Sequence, residues 1–189
     1  MVLEVVKYGD PVLRKKGAKI ETITPEITQF IADMFETMKS ARGVGLAAHQ
    51  VARAVQLAVI DVRGMRDRPS LLWIQGQAAD SDSFMPLVLI NPAVTPLGPR
   101  VSGPEGCLSF PEIYGEVERQ AEVEVTALNE RGESYAFKAG GLLARAVQHE
   151  VDHLNGILFI DRMDSETRAE VKDEVELLLA ETKARIALR

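Results

Sequence analysis

Two histidines four residues apart, His149 and His153, constrain the fold of this chain more than any other feature. Their side chains share one face only if the segment is helical, because residues four apart lie one above the other on a helix. The surrounding string LLARAVQHEVDHLNG has apolar residues at helical spacing and ends at a glycine suited to a C-cap. One metal ion could then bind both imidazoles, with Glu150 able to reach a water on that ion. The alternative is a pair of ordinary core or surface histidines on an amphipathic helix.

The only cysteine, Cys107 in the string EGCLS, is the candidate for a third metal ligand. Catalytic metal sites usually have three protein ligands and an open position for water, and no further histidine follows His153. A thiolate binds soft or borderline divalent ions well. On its own a lone cysteine is more often a buried core residue. The glycine and polar residues beside Cys107 favour a ligand.

Length and composition limit the organisation of the chain and its classes of partner. A chain of 189 residues, of which 46% are apolar, predicts one domain, residues 1–189, whose core needs no disulfide. The net charge of −6 argues against a generic nucleic-acid binder, and we expect no sequence-specific nucleic-acid partner. The sequence has no run of about eighteen apolar residues and no signal-peptide pattern, so we expect a cytoplasmic protein without membrane association.

Helical and strand patterns occupy separate parts of the sequence. Thr24 and Pro25 predict the start of a helix with one apolar stripe that ends near Arg42. Residues 121–127 alternate between apolar and polar side chains, which predicts a half-buried strand, and NERG followed by ESYAFKA predicts its hairpin partner. A long final helix is expected over residues 165–187. These patterns predict an α+β fold, with antiparallel β-sheets packed around a central metal-binding helix, an N-terminal helix and a long C-terminal helix.

Two stretches show no sustained period. Residues 64–84 mix Gly, Pro, Asp and Ser with a few apolar residues, which predicts a long excursion rather than a core element. After it, LVLIN predicts a short strand ended by Pro92. The string TPLGPRVSGPEG that follows predicts turns that lead to Cys107.

Three motifs stand in one order along the chain: GVGLAAHQ at 43–50, EGCLS at 105–109 and QHEVDH at 148–153. In this order they resemble the motifs of the peptide deformylase family, and the resemblance extends over nearly the whole chain. The string YGDPVLRKKG, the DMFETM helix and the long final helix are also similar to those of bacterial members. One motif could occur by accident, whereas all three in order are very specific.

The resemblance implies a hydrolase that removes the formyl group from the N-terminal formyl-methionine of newly synthesised polypeptides. It implies one divalent ion, usually Fe²⁺ in the cell, which Zn²⁺, Ni²⁺ or Co²⁺ can replace. The ligands would be the cysteine and the two histidines of the motifs, Cys107, His149 and His153. Glu150 would act as general base towards a water activated by the ion, and then deliver a proton to the departing amine. Gln50 and the backbone amide of Leu108 would stabilise the developing oxyanion together with the ion.

The same resemblance places the peptide substrate. Its backbone would pair as an added strand beside the backbone of three residues, Val44, Gly45 and Gly106. Its methionine side chain would enter an apolar pocket near Val44, Leu142 and Ala146. Arg145 falls near this pocket, and Tyr114 stands where many bacterial members carry an arginine. Formylated nascent peptides are therefore the expected partners. The ribosome is a further expected partner, through the final helix.

Two residues of the motifs, His49 and Asp152, have no role among those given above. His49 replaces the proline or small residue common in the family, and we expect no fourth ligand there because a fourth ligand would close the site. Asp152 could orient a ligand, pair with Arg119 or lie solvated on the helix surface.

One rival function is an ordinary zinc metallopeptidase, a class that generally takes a histidine or carboxylate as third ligand. The other is a non-catalytic binder of formylated peptide N-termini with a structural metal.

Overall fold

The computed structural model describes residues 1–188, and Arg189 lies outside the described residues. The first long helix, α1 (Pro25–Ser40), begins as the sequence predicts. The Thr24 hydroxyl accepts a hydrogen bond of 3.3 Å from the amide of Ile27, and Pro25 lies in the first turn. The predicted apolar stripe is buried, and its members are Ile27, Phe30, Ile31, Met34 and Met38.

The strands within residues 1–188 form one antiparallel sheet in the order β1-β2-β5-β6-β7-β3-β4, which leaves β1 and β4 at its edges. Their ranges are β1 (Gly45–Ala47), β2 (Leu57–Ile60), β3 (Ser70–Ile74), β4 (Gln77–Ala79), β5 (Leu87–Cys107), β6 (Phe110–Leu128) and β7 (Ser134–Gly140). The helices after α1 are α2 (Ser81–Phe84), α3 (Gly141–Leu154), α4 (Ser165–Glu170) and α5 (Lys172–Ala187).

Helices cover both faces of the sheet around β2. Ala58 and Ile60 belong to a buried cluster that contains Leu143 of α3. Leu57 and Val59 belong to a second cluster, which contains the buried stripe of α1. Because side chains alternate between the two faces of a strand, β2 is buried on both sides. The helix α3 contacts strands from β1 at one edge to β3 near the other, so it is the central helix that the sequence predicts.

The turns predicted between Pro92 and Cys107 are wrong, because β5 continues through this stretch. Pro96 pairs with Val123 of β6, and the register between β5 and β6 shifts after Leu97 and again after Gly106. Proline cannot donate to a neighbouring strand, so it is tolerated only where one edge of its strand is free. β2 pairs with β5 only over residues 87–90, so the rest of β5 has one strand partner within residues 1–188.

The excursion predicted for residues 64–84 is also partly wrong, since it contains the hairpin β3–β4. β3 joins the sheet by pairing with β7, and its Leu72 is buried in the main core. The turn of the hairpin places Gln75 and Gly76 at positive φ. With one buried side chain, this strand is too short for its alternation to be recognised in the sequence.

The predicted hairpin of β6 and β7 is confirmed, with Val123, Val125 and Ala127 buried on one face. The final helix is interrupted where one continuous helix was expected. Val171 separates α4 from α5 and is buried in a third cluster with Phe110 and Phe159. None of the described helices is both long enough and apolar enough to cross a membrane.

Candidate active site

The cysteine and the two histidines of the motifs converge at one point. The ligand atoms of Cys107, His149 and His153 all lie within 4.8 Å of one another. Cys107 Sγ is 3.3 Å from His153 Nε2, and the ring centroids of the two histidines are 5.0 Å apart. Cys107 ends β5, and the histidines lie on successive turns of α3. One sulfur and two nitrogen donors at this spacing suit a soft or borderline divalent ion, so the set indicates one bound metal ion.

The side chain of Gln50 is fixed beside this set. Its Oε1 accepts a hydrogen bond of 2.9 Å from the amide of Ala47. Its Nε2 lies 3.4 Å from both Cys107 Sγ and Ser109 Oγ. Gln50 is only 2% exposed and belongs to the 3-10 turn Ala48–Val51 that follows β1. The hydrogen bond from the Ala47 amide therefore holds the Gln50 side chain so that its Nε2 lies towards the ligand set.

Glu150 lies next to a ligand in sequence and is buried at the floor of the same site. It is 4% exposed, and its Oε2 makes no hydrogen bond within residues 1–188. Burial raises the pKa of its carboxyl to about 7, because desolvation disfavours the carboxylate more than His149 and Arg119 favour it. A carboxyl with such a pKa can both accept and release a proton near neutral pH.

Glu105 orients His149, a role that the sequence reasoning missed. Its Oε2 lies 3.0 Å from His149 Nδ1, and its two oxygens accept hydrogen bonds of 2.5 and 2.9 Å from Arg119. Burial alone would raise the pKa of Glu105, but the hydrogen bonds from His149 and Arg119 hold it well below its usual range. No local signal identified it, because this stretch predicts turns and its partners Arg119 and His149 lie elsewhere in the sequence.

A buried ion-pair chain continues from Glu105 to the far side of α3. Arg119 Nη1 donates to Asp152 Oδ2 at 2.8 Å, and Arg162 Nη2 donates to Asp152 Oδ1 at 2.7 Å. The pairing of Asp152 with Arg119 that the sequence raised is therefore present, and the solvated alternative is wrong. Arg119 is 5% exposed, so its charge depends on these two carboxylates.

A cleft of about 620 Å³ opens over the ligand set. The residues predicted to contact substrate all line it, namely Val44, Gly45, Gly106, Tyr114, Leu142, Arg145 and Ala146. So do Gln50, Leu108 and Glu150, together with the ligands Cys107 and His149. Of the predicted site residues only His153 does not line the cleft; it is 1% exposed and joins the site through the group of ligand atoms.

The guanidinium of Arg145, which lines this cleft, is bonded to groups of the protein. Nη1 donates to the carbonyl of Val117 at 2.8 Å and to Glu105 Oε1 at 2.9 Å, and Nη2 donates to the carbonyl of Val101 at 2.9 Å. Its charge and most of its N–H groups are satisfied inside the protein. The cleft can therefore be apolar beside Arg145 despite that cation.

His49 is fully buried on the other side of the 3-10 turn, with no exposed surface. It is not part of the group of ligand atoms formed by Cys107, His149 and His153. An ideal Cβ on Gly17 would lie 2.9 Å from its Cε1, so the ring packs against the backbone near Gly17. Burial lowers the pKa of His49, which keeps the ring neutral.

Comparison with known proteins agrees with the geometry. The family described as Polypeptide deformylase matches residues 2–169. The chain belongs to the polypeptide deformylase family. A peptide deformylase of Opitutus terrae is 44% identical over 97% of this chain and 96% of its own length. One of Methylacidiphilum infernorum is 44% identical over 93% of this chain and 92% of its own length.

Solved deformylase structures share the fold. A crystal structure of Arabidopsis thaliana peptide deformylase 1B superposes with a TM-score of 0.83 at 34% identity, covering 97% of this chain and 93% of that one. Peptide deformylase from Thermotoga maritima superposes with a TM-score of 0.74 at 36% identity, covering 87% and 99%. As a deformylase the chain is a metal-dependent hydrolase. The family assignment favours this function over the zinc metallopeptidase and the non-catalytic binder.

Proposed function

We propose that this chain, acting as one domain over residues 1–189, deformylates the N-terminal methionine of newly synthesised polypeptides in the cytoplasm. The observation that carries the proposal is the placement of Glu150. Its buried carboxyl, with a pKa raised to about 7 by burial, lies in the same cleft as the Cys107–His149 ligands. A hydrolase needs a proton-transfer group at that point, whereas a binding protein or a structural metal site does not.

The metal ligands are Cys107, His149 and His153, and Fe²⁺ is the ion we assign in the cell, with Zn²⁺, Ni²⁺ or Co²⁺ able to replace it. When bound, such an ion supplies a Lewis acid that lowers the pKa of a water molecule and polarises the formyl carbonyl. Glu105 holds His149 through Nδ1, which leaves Nε2 for the ion and fixes the ring orientation. Analysis of metal in anaerobically purified protein tests the identity of the ion, and a content other than iron would contradict it.

Glu150 performs the proton transfers. It accepts a proton from the attacking water and delivers it to the amine that leaves, which requires a group that is neither permanently ionised nor permanently protonated. Gln50 Nε2 and the backbone amide of Leu108 donate to the carbonyl oxygen as negative charge develops on it. Gln50 is already oriented for this by its bond to Ala47, so little reorganisation is needed.

The peptide binds along the free edge of β1. This strand pairs with β2 on one side only, and Val44 and Gly45 line the cleft on its other side. An unpaired strand edge accepts an extended peptide through backbone hydrogen bonds. Gly106 forms the opposite wall, so that the backbone of the peptide lies between two strands.

The methionine side chain enters the apolar part of the cleft. Leu142 and Ala146 lie one turn apart on α3 and face it together with Val44. Arg145 borders this pocket with its charge satisfied elsewhere, and Tyr114, 67% exposed, lies at the mouth. An apolar pocket of this kind suits a long, flexible thioether side chain.

The final helix is the surface that we assign to the ribosome. It lies beyond the residues that the family description matches, and Lys183 and Arg185 near its end are exposed. Cations there can reach the phosphates of ribosomal RNA. Co-sedimentation of the full chain with ribosomes tests this, and a Lys183→Glu/Arg185→Glu variant that sediments equally well would contradict it.

Turnover of formyl-Met-Ala-Ser tests the activity itself. We expect release of formate and a free methionine amine, and no release from acetyl-Met-Ala-Ser, because the extra methyl group must fit beside the carbon under attack. Binding of the formyl peptide without release of formate would establish the non-catalytic alternative. Comparable rates on both peptides would refute the crowded oxyanion site formed by Gln50 and Leu108.

A further inference from the structure

The rim of the cleft carries two arginines that the mechanism does not use, Arg42 and Arg68. Both line the cleft, and neither forms an ion pair with any carboxylate within residues 1–188. Arg145, in contrast, is paired with Glu105 and with backbone carbonyls. The charges of Arg42 and Arg68 are therefore available to whatever occupies the mouth of the cleft.

Arg42 occupies a backbone position that normally takes glycine. It follows the end of α1 at φ 56, and the next amide, that of Gly43, bonds back to the carbonyl of Met38 at 2.9 Å. A side chain in this left-handed conformation is strained relative to glycine. A cation near a helix C-terminus has a general electrostatic benefit, but Lys39 in the last turn already provides one. Arg42 differs from Lys39 in that it lines the cleft.

Arg68 comes from the stretch that the sequence left without a role. The carbonyl of Pro69 accepts a hydrogen bond of 3.1 Å from the amide of Leu142, and the Ser70 hydroxyl accepts one of 3.2 Å from the amide of Leu143. These bonds attach the stretch before β3 to the first turn of α3. Leu142 itself lines the cleft, so this attachment holds the backbone that follows Arg68 beside the substrate pocket.

The other charged groups of the cleft are accounted for. Glu105 and Glu150 are buried, and Lys7 donates to the carbonyl of Leu108 at 2.8 Å. Among the other lining residues Glu112 is exposed, and Tyr114, also exposed, has no charge. The open rim thus contains two cations and one anion. The net charge of −6 of the whole chain acts over longer distances, where ionic strength screens it beyond about 8 Å.

We propose that Arg42 and Arg68 select formylated peptides that carry Asp or Glu at the second or third position. The proposal rests on the deformylase function described above and names a substrate class within it. An extended peptide advances about 3.3 Å per residue, so the residues after the methionine are those that leave the pocket towards the rim. Their side chains meet two guanidinium groups, which favour a carboxylate and disfavour an ammonium group.

The test compares kcat/KM on formyl-Met-Ala-Glu, formyl-Met-Ala-Gln and formyl-Met-Ala-Lys, and on the matching formyl-Met-X-Ala set, with the C-terminus of every peptide amidated. We expect the Glu peptide to exceed the Lys peptide by about three- to ten-fold, mostly through KM, as two rim ion pairs allow. The ratio should shrink as the salt concentration rises from about 50 to about 500 mM, because ionic strength shortens the distance over which exposed charges interact.

Variants of Arg42 and Arg68 test whether these two residues cause the preference for the Glu peptide. Arg42→Gln and Arg68→Gln should each reduce the ratio of Glu to Lys peptide, and Arg42→Glu/Arg68→Glu should invert it. Arg66→Gln is the matched control, since Arg66 is exposed nearby and does not line the cleft. The ratio is measured within each protein, so a loss of folded enzyme does not imitate the result. Equal rates on the three peptides in the wild-type enzyme would overturn the selection alone, whereas no release of formate from any of them would overturn the deformylase function.

Discussion

Gly45 packs directly against the side chain of Glu150. An ideal Cβ on Gly45 would lie 2.8 Å from Glu150 Cδ and 2.9 Å from Cγ, and closer still to the carboxylate. Gly45 has an ordinary extended backbone within β1, so it is space and not conformation that requires glycine here. The strand edge that we assign to the peptide and the carboxyl that we assign to proton transfer are therefore in contact.

Gly45→Ala should displace the Glu150 carboxyl and lower kcat/KM by about 10²-fold, since a displacement near 1 Å can cost that much. Steady-state deformylation measures it. Gly43→Ala is the matched comparison, because the atom nearest its Cβ is the flexible end of Leu108 at 2.8 Å, with the Gly45 carbonyl oxygen at 3.3 Å, so its loss should be smaller. In a Glu150→Asp background the added effect of Gly45→Ala should diminish. Wild-type rates for Gly45→Ala would show that Glu150 is not confined by this strand.

Glu105→Gln should weaken metal binding by about 10- to 100-fold, because Glu105 fixes His149 through Nδ1. It should also destabilise the protein by about 1–3 kcal/mol, since Arg119 loses one of its two buried carboxylate partners. Competition with a chelator measures the affinity, and denaturant unfolding measures the stability. Glu116→Gln, an exposed change on the same hairpin, is the control. Unchanged metal affinity with reduced stability would assign Glu105 to Arg119 alone.

Lys7→Met should reduce kcat while leaving the bound metal in place. Lys7 Nζ donates to the carbonyl of Leu108 at 2.8 Å, and the amide of Tyr8 donates to the carbonyl of Ser109 at 2.9 Å. The lost bond is worth about 1 kcal/mol, or about five-fold in rate, if it holds the Leu108 peptide in place. Lys7→Arg should restore most of the rate, and Lys16→Met, an exposed change nearby, should have no effect. A change confined to KM would point instead to substrate contact.

The site was largely predictable because its information is local. The spacing of His149 and His153 specifies a shared helix face, and Cys107 was the only cysteine available. The structure places these three residues together, as predicted. The role of Glu105 was missed because a carboxylate acts here only through partners that are distant in sequence, such as Arg119 and His149.

The fold class was predictable from periodicity, whereas the path of β5 and the presence of β3 were not. β5 carries Pro96 and Pro104 inside a paired strand, which is tolerated only because β2 is too short to cover that edge. β3 is held by its pairing with β7 and buries Leu72 alone. Both facts depend on which strands lie next to each other, and no single segment contains that information.

The side-by-side measurement of bound metal and deformylation rate in Glu150→Gln and Cys107→Ala tests the central claim most directly. Cys107→Ala should lose metal and activity together, because it removes a ligand. Glu150→Gln should keep the metal, since the amide has nearly the same size and all three ligands are intact. Its rate should fall by at least about 10²–10⁴-fold, because an amide cannot accept the proton of the water or pass one to the amine. A metal-replete Glu150→Gln protein with a rate near wild type would contradict the mechanism.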